Sequence, residues 1–234
     1  MTLPTRADGG IDWEKTDDWR FSPDAASVQL AQTCGREIPQ NGGLTMVKPH
    51  RILYADPPRR FEVRDRRTGL GKSPDAHYRT MTTEQLCALP VERLAAKDAL
   101  LVIWVYDPLL PSTFDIARAW GFPTFVTVLF RWLKTTKNSS GAPTTKLNFG
   151  TGYHTRGGGC EEAWLFRRGR GCPVRRHDVR KEFFSPVREH SRKPDEVRGM
   201  IERLYGDLPR VELFARTRVK GWATAHSDQR GMFR

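Results

Sequence analysis

Cysteine is scarce in this 234-residue chain, which has four: Cys34, Cys87, Cys160 and Cys172. No pair has Cys-x-x-Cys spacing and no histidine cluster accompanies them, so a zinc site is not expected. Few cysteines and no signal-peptide pattern point to a reducing, cytoplasmic setting. Long apolar runs are missing as well. The run Ala99–Val105 is far too short to span a bilayer, and no amphipathic basic helix offers itself to a membrane surface. There is no internal repeat, zinc knuckle, helix-turn-helix or RNA-recognition motif. Acidic residues are under-represented: 27 Asp and Glu stand against 39 Lys and Arg, for a formal charge of +12. That excess favours a polyanionic partner, because each phosphate neutralised releases a bound counterion. What remains is a soluble globular balance, 38% hydrophobic and 28% charged.

At this length the chain holds one domain plus tails. Residues 1–45, rich in Pro, Gly, Asp and Asn, read as an N-terminal arm, either anchored by Trp13, Trp19 and Phe21 or partly disordered. The domain proper is 46–234. Arg51–Asp56 reads as a short buried strand ending in a turn at Pro57 and Pro58. Thr82 and Gln85 suit a capping box opening a helix to about Leu94. Ala99–Val105 is an apolar strand, and Leu110, Phe114, Ala117 and Trp120 lie at helical spacing before Gly121. Phe125–Leu133, Glu162–Phe166 and Val211–Ala215 read as further strands. Lys193–Glu196 starts a helix whose apolar face is Val197, Met200, Ile201 and Leu204, with Gly206 as its stop. Strands alternating with helices, and apolar on both sides, predict an α/β sandwich around a mostly parallel sheet.

In such sheets, ligands sit outside the carboxyl ends of the strands, where Asp56-Pro57-Pro58 falls. Alone, that tripeptide is a common proline turn. It is joined, in order, by His77–Met81, Leu101–Val105, Trp132–Lys134, Gly150–Tyr153, Glu189–Glu196, Met200–Leu204, Glu212–Arg216 and Gly221–Trp222. Taken together over roughly residues 50–229, these pieces resemble the adenine methyltransferase family of the eukaryotic mRNA adenosine methyltransferase catalytic subunit (MT-A70-like), in its short bacterial and phage form. The resemblance implies a Rossmann-like sheet with the catalytic motif before the cofactor motif. It also implies S-adenosylmethionine as cofactor and the exocyclic amine of adenine as acceptor.

That chemistry is demanding. The adenine amine is a poor nucleophile because its lone pair is delocalised into the ring. A carboxylate and a carbonyl that accept its two N–H bonds draw it toward tetrahedral geometry, and catalysis is then positioning and electrostatics, without a metal. By resemblance, Asp56 accepts from the amine near the cofactor's methionine portion, the Pro57 carbonyl takes the second N–H, and Pro58 shapes the turn. Lys193 and Arg216 would contact the cofactor, although by themselves they read equally as members of surface ion pairs. Ser227 and Asp228 stand where the family has Asn followed by Gln or Glu, and would bond the ribose. The family follows Asp-Pro-Pro with an aromatic residue; this chain has Arg59. A guanidinium plane can stack on a base, so Arg59 is expected in that role, with Phe61 or an N-terminal Trp as the alternative source of the lid. The alternative is a catalytically weak, nucleic-acid-binding relative.

Two basic stretches are expected to flank the site and grip phosphates. One holds Arg60, Arg64, Arg66, Arg67 and Lys72, followed by His77 and Tyr78 to orient the base; the other includes Arg175 and Arg176. Duplex substrate would require base flipping. The compact chain favours DNA over RNA, with RNA as the alternative. No signature of an oligomeric state is visible.

Overall fold

A computed structural model describes residues 49–59, 80–105, 107–137, 143–148, 159–188, 192–215 and 217–225. The arm at residues 1–45 lies outside them. Among the described residues, eight strands form one sheet, and three α-helices cover its two faces. In chain order the elements are β1 (His50–Ala55), α1 (Thr83–Cys87), β2 (Ala95–Val105), α2 (Leu110–Ala119), β3 (Thr124–Lys137), β4 (Pro143–Leu147), β5 (Cys160–Arg168), β6 (Glu182–Pro186), α3 (Glu196–Tyr205), β7 (Arg210–Leu213) and β8 (Ala223–Ala225).

The strand order is β4-β3-β5-β2-β1-β7-β8, with β6 on β3. Strands β2, β1, β7 and β8 are mutually parallel neighbours. Strand β5 is antiparallel to both β2 and β3, so β3 runs in the direction of β2, and β6 runs with β3. The sheet is therefore mixed but parallel at its centre, the expected Rossmann-like α/β architecture. An apolar run such as Glu162–Phe166 does not encode the direction of its strand, and β5, like β4, runs against the other strands.

Strand periodicity sorts the core into two layers. Leu53, Ala55, Leu101 and Ile103 face α1 and α2, where they meet Leu86, Ile116, Ala117, Trp120 and Phe122. Ile52, Tyr54, Leu100, Val102 and Trp104 face α3, where they meet Val197, Ile201, Leu204 and Tyr205. Each large apolar side chain so buried contributes roughly 1.5–3 kcal/mol relative to exposure.

The capping box forms: the Gln85 backbone N–H donates to the Thr82 hydroxyl and the Thr82 N–H to the Gln85 side chain. The helix it opens stops at Cys87 rather than near Leu94. Pro90 cannot donate to an i−4 carbonyl, and the chain resumes as a separate 3-10 turn over Val91–Leu94. Helix α3 starts and stops where the sequence predicts, with Gly206 at φ +78 as its last cap.

The connection from β1 to β2 runs over one face of the sheet, through α1, while β7 is entered from the opposite face, through α3. The carboxyl ends of β1 and β7 thus border a topological switch point, where open α/β sheets take ligands.

Candidate active site

Asp56 follows the last residue of β1, at the carboxyl edge of the sheet and beside this crevice. Its carboxylate lies 3.1 Å from Lys193 Nζ. The same Nζ lies 3.1 Å from Glu161 Oε2, and Lys134 Nζ lies 2.5 Å from Glu161 Oε1. Four charges from four chain segments therefore alternate in sign, as Asp56, Lys193, Glu161 and Lys134. The last three have side chains only 14–15% exposed, whereas Asp56 is 31% exposed and presents the open end of the row.

Burial alone would lower the Lys193 ammonium, but Asp56 and Glu161 outweigh it and hold the group above its ordinary range. Burial alone would raise the Glu161 carboxyl, but Lys193 and Lys134 hold it below its ordinary value. Aromatic rings floor the row: Lys193 Nζ sits 5.6 Å from the Trp104 ring centre and Lys134 Nζ 5.1 Å from that of Trp132. Trp104 Nε1 donates to the Tyr54 hydroxyl at 2.6 Å, fixing the ring.

The turn after Asp56 is pinned by its backbone. The Arg59 N–H donates to the Pro57 carbonyl at 2.8 Å, and the Met81 N–H to the Pro58 carbonyl at 2.7 Å. Arg59 and Met81 form a parallel bridge. The basic loop between them consequently leaves and re-enters the fold beside Asp56. The Pro57 carbonyl retains a second lone pair for another donor.

Arg59 departs from its expected role. It is 8% exposed, and its Nη1 donates to the Thr113 hydroxyl at 2.7 Å and to the Leu109 carbonyl at 3.2 Å. The guanidinium turns inward to the start of α2, so no stacking face is offered to a base. Burial lowers its pKa to about 10, with Asp56 opposing the shift. Among the described residues its Nε and Nη2 have no hydrogen-bond partner.

A second ionic group seats α3 at the same edge. Arg198 holds Glu212 of β7 through two bonds of 2.7 Å and Asp195 through one of 2.9 Å. Asp195 also takes Arg192 at 2.8 Å and Arg188 at 2.5 Å. This ties the Lys193 segment to the strand beside β1. Beyond Glu212, Phe214 has φ +60, the single positive-φ residue other than glycine among the described ones. Its ring stacks on Trp120 at 6.2 Å. Such backbone strain gathers at ligand sites.

Arg175 and Arg176 of the second basic stretch do not flank this site. Arg168 pairs with Ala99 at the amino end of the buried part of β2, and the Arg175 N–H donates to the Leu204 carbonyl in the last turn of α3. Arg175 and Arg176 therefore lie about 15 Å away from the start of α3, the length of ten helical residues. Arg60, Arg64, Arg66, Arg67, Lys72, His77, Tyr78, Arg216, Ser227 and Asp228 fall outside the described residues. Glu161, Lys134, Arg198 and Glu212 escaped assignment as site residues. The one local sign of Glu161 is a pair of acids, Glu161 and Glu162, opening an otherwise apolar strand. No group of His, Cys, Asp and Glu able to hold a metal occurs among the described residues.

The family model that matches is MT-A70, over residues 50–227. The chain belongs to the MT-A70 family. It is similar to the type II methyltransferase M.MunI of Mycoplasma sp, with 25% identity over 75% of this chain and 76% of that protein. It is also similar to the N(6)-adenosine-methyltransferase catalytic subunit METTL3 of Homo sapiens, with 29% identity over 70% of this chain. The MT-A70-like protein of Drosophila melanogaster matches at 27% identity over 74% of this chain. The matched region is 25% of each of these two eukaryotic proteins. The charged row and the Asp56 turn thus belong to an MT-A70 methyltransferase domain.

Proposed function

We propose that this MT-A70 protein transfers a methyl group from S-adenosylmethionine to the N6 amine of adenine in DNA, at Asp56. The observation that carries the reading is the setting of the Asp56 carboxylate. It is paired with and oriented by Lys193, and it is left partly open at the carboxyl edge of the switch-point crevice.

When bound, the cofactor supplies an electrophilic methyl group on a sulfonium. Its methionine portion is zwitterionic, and the crevice mouth offers charge of the matching kind: an open carboxylate at Asp56 for an ammonium. The chain's own work is positioning. Asp56 accepts one amine N–H and favours the positive charge that grows on the nitrogen. The Pro57 carbonyl accepts the other, with the turn made rigid by Pro57, Pro58 and the Arg59 and Met81 N–H bonds. Lys193 acts through Asp56: it fixes the rotamer, while Glu161 and Lys134 fix Lys193. Arg216, Ser227 and Asp228 are proposed to hold the ribose side of the cofactor. With Arg59 turned inward, the stacking surface for the base must come from elsewhere, and His77 and Tyr78 in the loop that returns at Met81 are the candidates.

The loop at residues 60–79 carries six Lys and Arg against three acids. With its ends beside Asp56, it is the proposed phosphate contact. DNA is favoured over RNA because M.MunI is the relative matched over three quarters of both chains, while the adenosine-methyltransferases share a quarter of their length. No helix among the described residues is long and apolar enough to cross a membrane, and the cytoplasm is the proposed location. The test is incubation with labelled S-adenosylmethionine and either DNA or RNA, followed by digestion and identification of the nucleoside by mass. N6-methyladenine in DNA supports the reading. Product in RNA alone replaces the polymer, and no product in either overturns the activity.

A further inference from the structure

The basic strap between β5 and β6 is a strongly charged segment that the site leaves unused. Residues 167–181 hold seven Lys and Arg and one acid, Asp178, which is half of the chain's net charge of +12. No helix or strand forms over Gly169–Lys181, yet its backbone is tied down at short intervals. Asp98 accepts the Arg170 N–H at 2.8 Å, and Gly169, at φ +55, lies so close to Asp98 that no Cβ fits. Arg51 donates to the Gly171 carbonyl at 3.2 Å, the Arg175 N–H to the Leu204 carbonyl at 2.6 Å, and the Arg131 N–H to the Lys181 carbonyl at 2.8 Å. Arg203 of α3 holds Asp178 through bonds of 3.0 and 2.6 Å. None of these ties uses the head group of a strap cation. Arg167, Arg170, Arg175, Arg176, Arg180 and Lys181 are exposed. Among the described residues only Arg170 and Arg176 of the strap reach a carboxylate, at 3.4 and 3.5 Å, with side chains 92% and 62% exposed. Fixing like charges side by side costs repulsion that a loose loop would relax.

We infer that this strap is a second DNA contact, separate from the methylation site, that binds the phosphate backbone of the duplex without reading its sequence. The inference rests on the proposed function and deepens it. Six of the seven cations are arginine, whose planar fork matches a phosphate, and a duplex offers phosphates at regular intervals to a fixed array. The reach is short. The strap crosses the last turn of α3, about 15 Å from the start of that helix. At about 3.4 Å of axis per base pair, that is roughly five base pairs, so a duplex seated at Asp56 extends to the strap. The strap then supplies affinity and no chemistry, and the balanced carboxyl edge supplies the chemistry.

Fluorescence anisotropy of the full chain on a duplex of about 30 base pairs, at salt from about 50 to 200 mM, tests the assignment. Replacing Arg170, Arg175, Arg176 and Arg180 together by Ala should flatten the plot of log K against log salt by about three to four and weaken binding by about tenfold or more. Lys at the same four positions keeps the charge and should keep most of the slope. Arg175→Ala with Arg176→Ala should flatten it by about two; this pair carries the test should the fourfold variant fail to fold. Single-turnover transfer at saturating duplex should stay within about twofold in each variant. An unchanged slope overturns the assignment. So does a large loss of rate at saturation, which would place the strap in the chemical site. So does poly-glutamate that binds wild type as tightly as the duplex, which would make the partner an acidic protein, and so does wild type that binds no duplex. A slope that depends on the strap in a chain that transfers no methyl group would support the strap and overturn the activity instead.

Discussion

The two ends of the sheet carry their charge in opposite ways. At the carboxyl edge, Asp56, Lys193, Glu161 and Lys134 alternate in sign, sit half-buried to buried, and cancel to zero. At the amino edge, Arg167, Arg168, Arg170, Arg175 and Arg176 are spread over the surface and find scattered partners. Arg170 meets Asp98, Arg176 meets Asp178, and Arg167 and Arg168 cap the carbonyls of Gly169 and Glu92. Arg203 holds the Asp178 carboxyl down to about 2, yet the pair lies in solvent. The richer end in charge is the poorer in fixed electrostatics. Ion pairs in solvent are worth little, whereas a buried pair missing one partner is strongly destabilising. Preorganised chemistry therefore belongs to the balanced end.

Removing Lys193 should break this contrast most severely. Lys193→Ala leaves Asp56 and Glu161 as neighbouring carboxylates without their shared cation. Thermal or denaturant unfolding should show a loss of about 3–5 kcal/mol, and methyl transfer should fall by about a hundredfold or more. Glu161→Gln is milder because it keeps the shape and removes the charge. A loss of about 2 kcal/mol and of roughly tenfold in kcat, with KM for the polymer little changed, is expected; an unchanged kcat would detach Glu161 from the site.

The third test uses pH. Glu161 is depressed, so its contribution is present above the ordinary carboxylate value and lost as pH falls through the lower folded value. Lys193 is raised, so its contribution is present below the ordinary ammonium value and lost as pH rises through the higher folded value. Between about pH 5 and pH 9 neither changes. The Tm gap between wild type and Glu161→Gln should stay constant across that window; a gap that closes near pH 7 would contradict the assignment. The smallest effect belongs to the other end. Arg175→Ala with Arg176→Ala should change stability by about 0.5 kcal/mol or less and leave single-turnover transfer within about twofold. A large loss there would restore the second basic stretch to the site.

Much of the central sheet is legible in the sequence because each inner strand is an apolar run and α3 shows a helical apolar face between a charged start and Gly206. The edge strands β4, β6 and β8 are not. Pro143–Leu147, Glu182–Pro186 and Ala223–Ala225 are short, carry little apolar patterning, and owe their conformation to pairing with β3 and β7. Within the site, Asp56 is legible as a carboxylate at a strand end. Glu161 and Lys134 are not, since only the antiparallel pairing of β5 with β3 brings them to Lys193. Arg59 shows the limit of reading a residue by what it replaces. Position after Asp-Pro-Pro suggests a stacking plane, but the turn sends the side chain to Thr113.

The central claim is that the Asp56 carboxylate acts on the adenine amine. Single-turnover methylation of one DNA by wild type and by Asp56→Asn, with S-adenosylmethionine saturating and N6-methyladenine identified by mass, tests it most directly. A loss of about a thousandfold or more in the variant, with its fold retained, is the predicted result. N6-methyladenine formed by Asp56→Asn at the wild-type rate would contradict it.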